Sequence, residues 1–212
     1  PRDGGALRAR LLTAAIGIPL VVLLAVLGGW PFVAVSAVLA MLALRELVFA
    51  ARSAQTPLLA EMAYPMLAIV FGLLLWIQAD FVVYGTAELW RGLLLLNIAL
   101  LAMGPLLLVR AVFRFGSALP ASLGSVGLTF LAVGYTALFA FLPLLLAVPR
   151  YGAVLLWAVL LGVWAGDSAA YFAGRAWGRS LLTPLSPGKT RTGTFWGAVA
   201  GFSAASLVFS GS

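Results

Sequence analysis

Asp167 is an aspartate inside an apolar run, Leu156 to Gly174, and the only acidic residue after Glu88. A carboxylate in such a run costs about 2.5–3.5 kcal/mol on insertion scales, so it marks a functional site by default. On a helix, Asp167, Tyr171 and Gly174 share one face, with Arg175 at its edge. The structural alternative is that Asp167 pairs with a nearby arginine at headgroup level; its isolation from other acids favours function. Further on stands Ser186-Pro187-Gly188-Lys189-Thr190, a Pro-Gly turn with free backbone N–H groups, two hydroxyls and a lysine. Together with Arg175, Arg179 and Arg191, this set suits a polyphosphate. It equally suits an ordinary basic loop drawn to anionic lipid, and the loop alone leaves both readings open.

Several chemistries are excluded. The loop ends like a Walker A motif, but that motif needs glycine five positions before Gly188, where Thr183 stands, and no strand precedes it. With no Cys and no His, thiolate chemistry, disulfides and histidine acids, bases or ligands are absent. Any acid, base or ligand must come from six acidic residues, hydroxyls or backbone.

The elements that must carry these residues are membrane spans. Hydrophobic residues make up 64% of the 212 and charged residues 9%, which no soluble fold of this size can bury. Apolar runs predict an all-α integral membrane protein of about seven transmembrane helices in one bundle, at roughly 11–28, 31–51, 62–79, 89–109, 122–147, 152–174 and 194–210. The first run is read as a retained signal-anchor. Residues 1–212 form a single polytopic domain by default, with no internal repeat. Small residues recur at every fourth position, first Gly162, Gly166, Ala170, Gly174 and Gly178, then Gly193, Gly197, Gly201 and Ala205. Two such ridges flanking one polar loop predict that the last two spans pack tightly around it.

The net charge of +7 is scattered singly at the ends of apolar runs, which fits membrane topology and anionic headgroups, not nucleic acid. With the N-terminus in the cytoplasm, the cytoplasmic side holds Arg2, Arg8, Arg10, Arg45, Arg52, Arg110, Arg114, Arg175, Arg179, Lys189 and Arg191. The opposite side holds only Arg91 and Arg150, with Asp80 and Glu88 beside the former. That asymmetry places the Arg175–Arg191 loop in the cytoplasm. Arg45 with Glu46, Asn97, Thr129, Tyr135 and Thr136 are the other polar groups in spans, and packing or interfacial roles suit them better than catalysis.

The run Gly166-Asp167-Ser168-Ala169-Ala170-Tyr171-Phe172-Ala173-Gly174-Arg175, followed by Gly178, Pro184 and Ser186-Pro187-Gly188-Lys189-Thr190, resembles the bacterial phosphatidate cytidylyltransferases, also called CDP-diglyceride synthetases. The basic N-terminal anchor, Arg45-Glu46 and Tyr135 fit that family more loosely. The resemblance implies CTP-dependent cytidylyl transfer to phosphatidic acid, giving CDP-diacylglycerol and pyrophosphate, with Mg²⁺ or another divalent cation, at the bacterial inner membrane. It implies Asp167 as metal ligand and catalytic residue, and Lys189 as a second catalytic residue. Arg175, Ser186, Gly188, Thr190 and Tyr171 would then bind substrate. The nucleophile would be the lipid phosphate itself, so the absence of histidine is no obstacle.

The chain departs from the family pattern in two places. Arg191 and Thr192 precede Gly193 where the family carries an aromatic residue and a glutamate, and the family's Asp-rich C-terminal signature has no counterpart. The first removes an acid that would assist metal or CTP binding, and the second predicts a chain truncated at its C-terminus. The rival readings are a non-catalytic or degenerate membrane protein whose basic loop binds anionic lipid, and a related enzyme for another lipid phosphate. A homodimer remains open.

Overall fold

The computed structural model describes residues 3–56, 58–84, 86–116, 118–146, 148, 150–183, 186 and 188–211. Of the positions singled out above, Arg2, Pro184 and Pro187 lie outside the described residues, as do the side chains of Arg8, Arg10, Asp80 and Glu88. Apolar runs of 20 or more residues satisfy every backbone group internally only as helices in lipid, and helix is what forms. The order is α1 (Asp3–Leu27), α2 (Gly29–Ser53), α3 (Ala60–Tyr84), α4 (Thr86–Phe115), α5 (Leu119–Ala137), a 3₁₀ turn (Leu138–Ala140), α6 (Phe141–Leu146), α7 (Gly152–Trp177) and α8 (Arg191–Ser210).

Among the described residues, six segments are long and apolar enough to cross a bilayer: Gly29–Ser53, Ala60–Ile77, Leu94–Phe115, Pro120–Leu146, Gly152–Trp177 and Arg191–Ser210. The first expected span falls on α1, whose described apolar stretch, Ala14–Leu27, is shorter. The protein is thus an all-α, multi-pass membrane protein. The fifth span is not one continuous helix. Pro143 cannot donate to the carbonyl of Phe139, and its ring crowds that carbonyl, so the chain tightens into the 3₁₀ turn just before it.

The chain forms two compact units, Pro1–Ala147 and Val148–Ser212. In the first, α2 to α5 share an apolar core that includes Leu44, Leu59, Leu67, Phe71, Leu107 and Val133. Polar residues inside it are satisfied locally. The Thr129 hydroxyl donates to Ser125 O (2.6 Å) and accepts from the backbone N–H of Leu59 (2.9 Å), just ahead of α3. Thr136 donates to Ala132 O (2.8 Å). Both threonines therefore have the packing role read from the sequence. Tyr135 is exposed.

The second unit is a helical hairpin of α7, a thirteen-residue connection from Gly178 to Thr190, and α8. All seven residues singled out for chemistry belong to it.

Candidate functional site

The glycine ridges bring the two helices of this hairpin into backbone contact. A Cβ built on Gly166 would lie 3.1 Å from Gly197 O, and one on Gly197 would lie 2.9 Å from Gly166 O. The same reciprocity holds one turn deeper, between Gly162 and Gly201, at 3.2 and 2.9 Å. Towards the loop, Gly193 faces the carbonyl of Ala170 and the Cα of Gly174. Lipid tails offer no hydrophobic incentive for helices to associate, so close backbone packing must supply it. The two ladders expected from sequence are therefore one interface.

That interface also seats the loop. Thr190 is the N-cap of α8, its Oγ1 accepting from Gly193 N at 3.1 Å. The same Oγ1 lies 3.0 Å from where a Gly174 Cβ would be. A Cβ on Gly178 would meet Gly174 O, and would sit 2.7 Å from both Oγ1 and Cγ2 of Thr190. Only glycine at 174 and 178 leaves this notch for Thr190. The connection then folds back on itself: Leu181 and Thr190 form an antiparallel bridge, Leu182 N donates to Lys189 O (2.8 Å), and Arg191 N donates to Ser180 O (3.1 Å). At the tip, Ser186 O accepts from Lys189 N (3.0 Å), and Thr183 O accepts from Ser186 N (3.2 Å). The Lys189 backbone is thus fixed on both sides while its side chain is exposed. A Cβ on Gly188 would meet nothing within 4 Å, so the fold itself does not demand glycine there.

On α7, Arg175 Nη1 donates to Tyr171 Oη at 3.1 Å, which holds the guanidinium along the helix. Tyr171 in turn meets Phe172 edge-on, with centroids 5.3 Å apart. Asp167 lies one turn deeper than Tyr171, about 6 Å along the axis, and about 15 Å from the C-terminal end of α7 at Trp177. It is exposed on the hairpin and makes no hydrogen bond or ion pair among the described residues. The alternative in which Asp167 pairs with an arginine is therefore not what forms. Beside it, Leu161, Trp164, Ala165, Ser168, Ala204, Leu207 and Val208 line a wide, shallow apolar groove.

These observations put an unpaired carboxylate on a membrane helix that leads into an anchored basic loop. The sequence profile of the cytidylyltransferase family matches residues 8–211. The chain belongs to that family. A phosphatidate cytidylyltransferase of Haemophilus influenzae is 48% identical over 52 residues, which are 24% of this chain and 18% of that relative. The match thus spans less than a fifth of the relative's length. No solved structure matches.

Within this cytidylyltransferase-family chain, the sequence had pointed to Asp167, Tyr171, Arg175, Ser186, Gly188, Lys189 and Thr190, and all fall on the hairpin. Tyr171 and Arg175 are in contact; Ser186, Gly188, Lys189 and Thr190 share the loop tip and its return to α8. What sequence reasoning missed is the work of Gly174 and Gly178 as the seat of Thr190. The signal was present: a threonine just before a helical run is an N-cap, and an N-cap held against another helix needs small residues opposite. The donor set also bears on a metal. Among the described residues no three acidic side chains converge, so these residues offer no closed cage. The single carboxylate of Asp167 fits Mg²⁺, which takes one or two carboxylates plus substrate phosphates and water.

Proposed function

We propose that this protein carries out CTP-dependent cytidylyl transfer to phosphatidic acid at the cytoplasmic face of a bacterial inner membrane, releasing CDP-diacylglycerol and pyrophosphate. Family membership and the name of the Haemophilus relative support the reaction class. The observation that carries the reading is Asp167, an unpaired carboxylate within the apolar span Gly152–Trp177, because an ionisable residue inside a span is a functional-site candidate by default.

In this reading Asp167 holds Mg²⁺, which would neutralise phosphate charge and help align the two substrates. Lys189 and Arg175 hold phosphate oxygens of CTP. Tyr171 keeps the Arg175 guanidinium oriented through their hydrogen bond. The turn from Ser186 to Lys189 offers the Gly188 N–H and the Ser186 hydroxyl, since Ser186 N and Lys189 N donate within the loop, and the missing side chain at Gly188 lets a phosphate approach the backbone. Thr190 fixes the position of this turn on α8. An oxygen of the lipid phosphate then attacks the α-phosphorus of CTP. The bond from that phosphorus to the β-phosphate's bridging oxygen breaks, and pyrophosphate leaves with the electron pair. The nucleophile is already anionic at neutral pH, so the step needs no general base, only alignment and charge neutralisation.

The test is CDP-diacylglycerol formation from CTP and phosphatidic acid with Mg²⁺ in proteoliposomes. Asp167→Asn keeps the shape and removes the charge, and should lower turnover about a hundredfold while membrane insertion is unchanged. Turnover within a few-fold of the parent would return Asp167 to a structural role. Retention of anionic lipid with no affinity for CTP would favour a non-catalytic lipid-binding protein.

A further inference from the structure

A second place in the molecule gathers positive charge around a defined space, in the first unit and on elements that the reading above does not use. The ends of α2, α3 and α4 enclose a cleft of about 240 Å³, lined by Arg52, Gln55, Thr56, Leu58, Ala60, Glu61, Arg114 and Phe115. Its walls are held in place. The α2 helix closes with Thr56 N donating to Ala51 O (2.9 Å) and Gln55 N donating to Arg52 O (3.1 Å), which turns Gln55 to φ 53°. Across the cleft, Glu61 Oε1 accepts from both Arg114 Nη1 (2.7 Å) and Arg110 Nη2 (2.9 Å). The Arg114 guanidinium also lies 5.6 Å from the centroid of the Phe115 ring.

One carboxylate is thus shared by two guanidiniums, and the Arg52 side chain makes no ion pair or hydrogen bond among the described residues. Three guanidiniums against one carboxylate leave the cleft and its border at +2. That excess calls for an anion, and guanidinium forks are suited to phosphate oxygens.

We propose that this cleft is a binding site for the phosphate of an anionic membrane-lipid headgroup. Two features favour a lipid over a soluble nucleotide. The cleft is smaller than the roughly 300–1,000 Å³ typical of small-molecule pockets, so it holds a phosphate group and little more. It also lies where apolar spans end in arginine, with Leu58 and Phe115 on its border, which is the level at which lipid phosphates stand. The proposal does not rest on the chemistry assigned to α7 and α8.

The test uses the full chain in detergent, with lipid retention read by native mass spectrometry after offering phosphatidylglycerol, phosphatidylcholine or inorganic phosphate. The parent should retain phosphatidylglycerol in preference to phosphatidylcholine. Arg52→Gln removes an exposed, unpaired side chain, so the fold should survive it, and it should weaken that retention about tenfold. Arg52→Lys keeps the charge but loses the fork, and should restore only part of it. Arg45→Gln, on the same helix but outside the cleft, should change nothing. Equal retention of the two lipids would overturn the proposal. So would full restoration by Arg52→Lys or an equal loss from Arg45→Gln, since either means a diffuse field and not a site. Inorganic phosphate binding as tightly as phosphatidylglycerol would overturn the lipid assignment.

Discussion

At the scale of single residues, the loop separates side chains that hold the fold from side chains left over for a ligand. Thr190 spends its oxygen on capping α8, so Thr190→Val should destabilise the hairpin by about 1 kcal/mol while Thr190→Ser should not; thermal unfolding of the two variants checks it. Lys189 and Gly188 have no such structural task. The Lys189 side chain is exposed on a fixed backbone, and the space beyond Gly188 is open. If the turn cradles CTP, Lys189→Ala should weaken CTP binding about ten- to a hundredfold, as expected for one charge-assisted contact to phosphate. Arg179→Ala should cost far less. Gly188→Ala should leave thermal stability unchanged and still reduce CTP affinity. Calorimetric titration of CTP with Mg²⁺ present reads all three, and equal losses at Lys189 and Arg179 would mean only a basic loop attracting anions.

At the scale of elements, the α7–α8 interface is the feature on which the site depends. Gly197 sits where any side chain would run into the carbonyl of Gly166 and the Cβ of Ala170. Gly197→Leu should therefore force the helices apart and lose CTP binding without touching a polar residue of the site. Thermal unfolding and CTP titration of this variant check it, and an unchanged CTP affinity would mean that the site does not depend on the interface. This interface was legible in the sequence because a four-residue spacing of small residues is a local pattern, readable on each helix separately. Span positions were legible for the same reason, since Gly, Pro and charge interrupt apolar runs locally. The 3₁₀ break before Pro143 was a missed local signal. The bridge from Leu181 to Thr190 and the ion pairs from Glu61 to Arg110 and Arg114 were not legible at all. They join residues whose separation along the chain says nothing about which ends of which helices meet.

At the scale of the whole molecule, the surface states the solvent. Phe113, Leu101, Phe202 and Leu207 are each more than 70% exposed, and apolar side chains of that size face outward along helices long enough to cross a bilayer. In water such a surface would aggregate; in lipid it is the side that meets acyl chains. Orientation is then set by the arginines and lysine at the span ends. Moving Arg175, Arg179, Lys189 and Arg191 together across the membrane is far more costly than moving Arg91 and Arg150. The loop between α7 and α8 should therefore face the cytoplasm, where CTP is found. The chain contains no cysteine, so a single Ser180→Cys gives an unambiguous reporter. Ser180 is exposed, and only its backbone carbonyl is used, by Arg191 N. In intact cells a membrane-impermeant maleimide should leave this cysteine unlabelled, and in inside-out vesicles it should label it. Labelling in intact cells would reverse the topology and place the basic loop on the side without nucleotide, and the proposed reaction would fail with it.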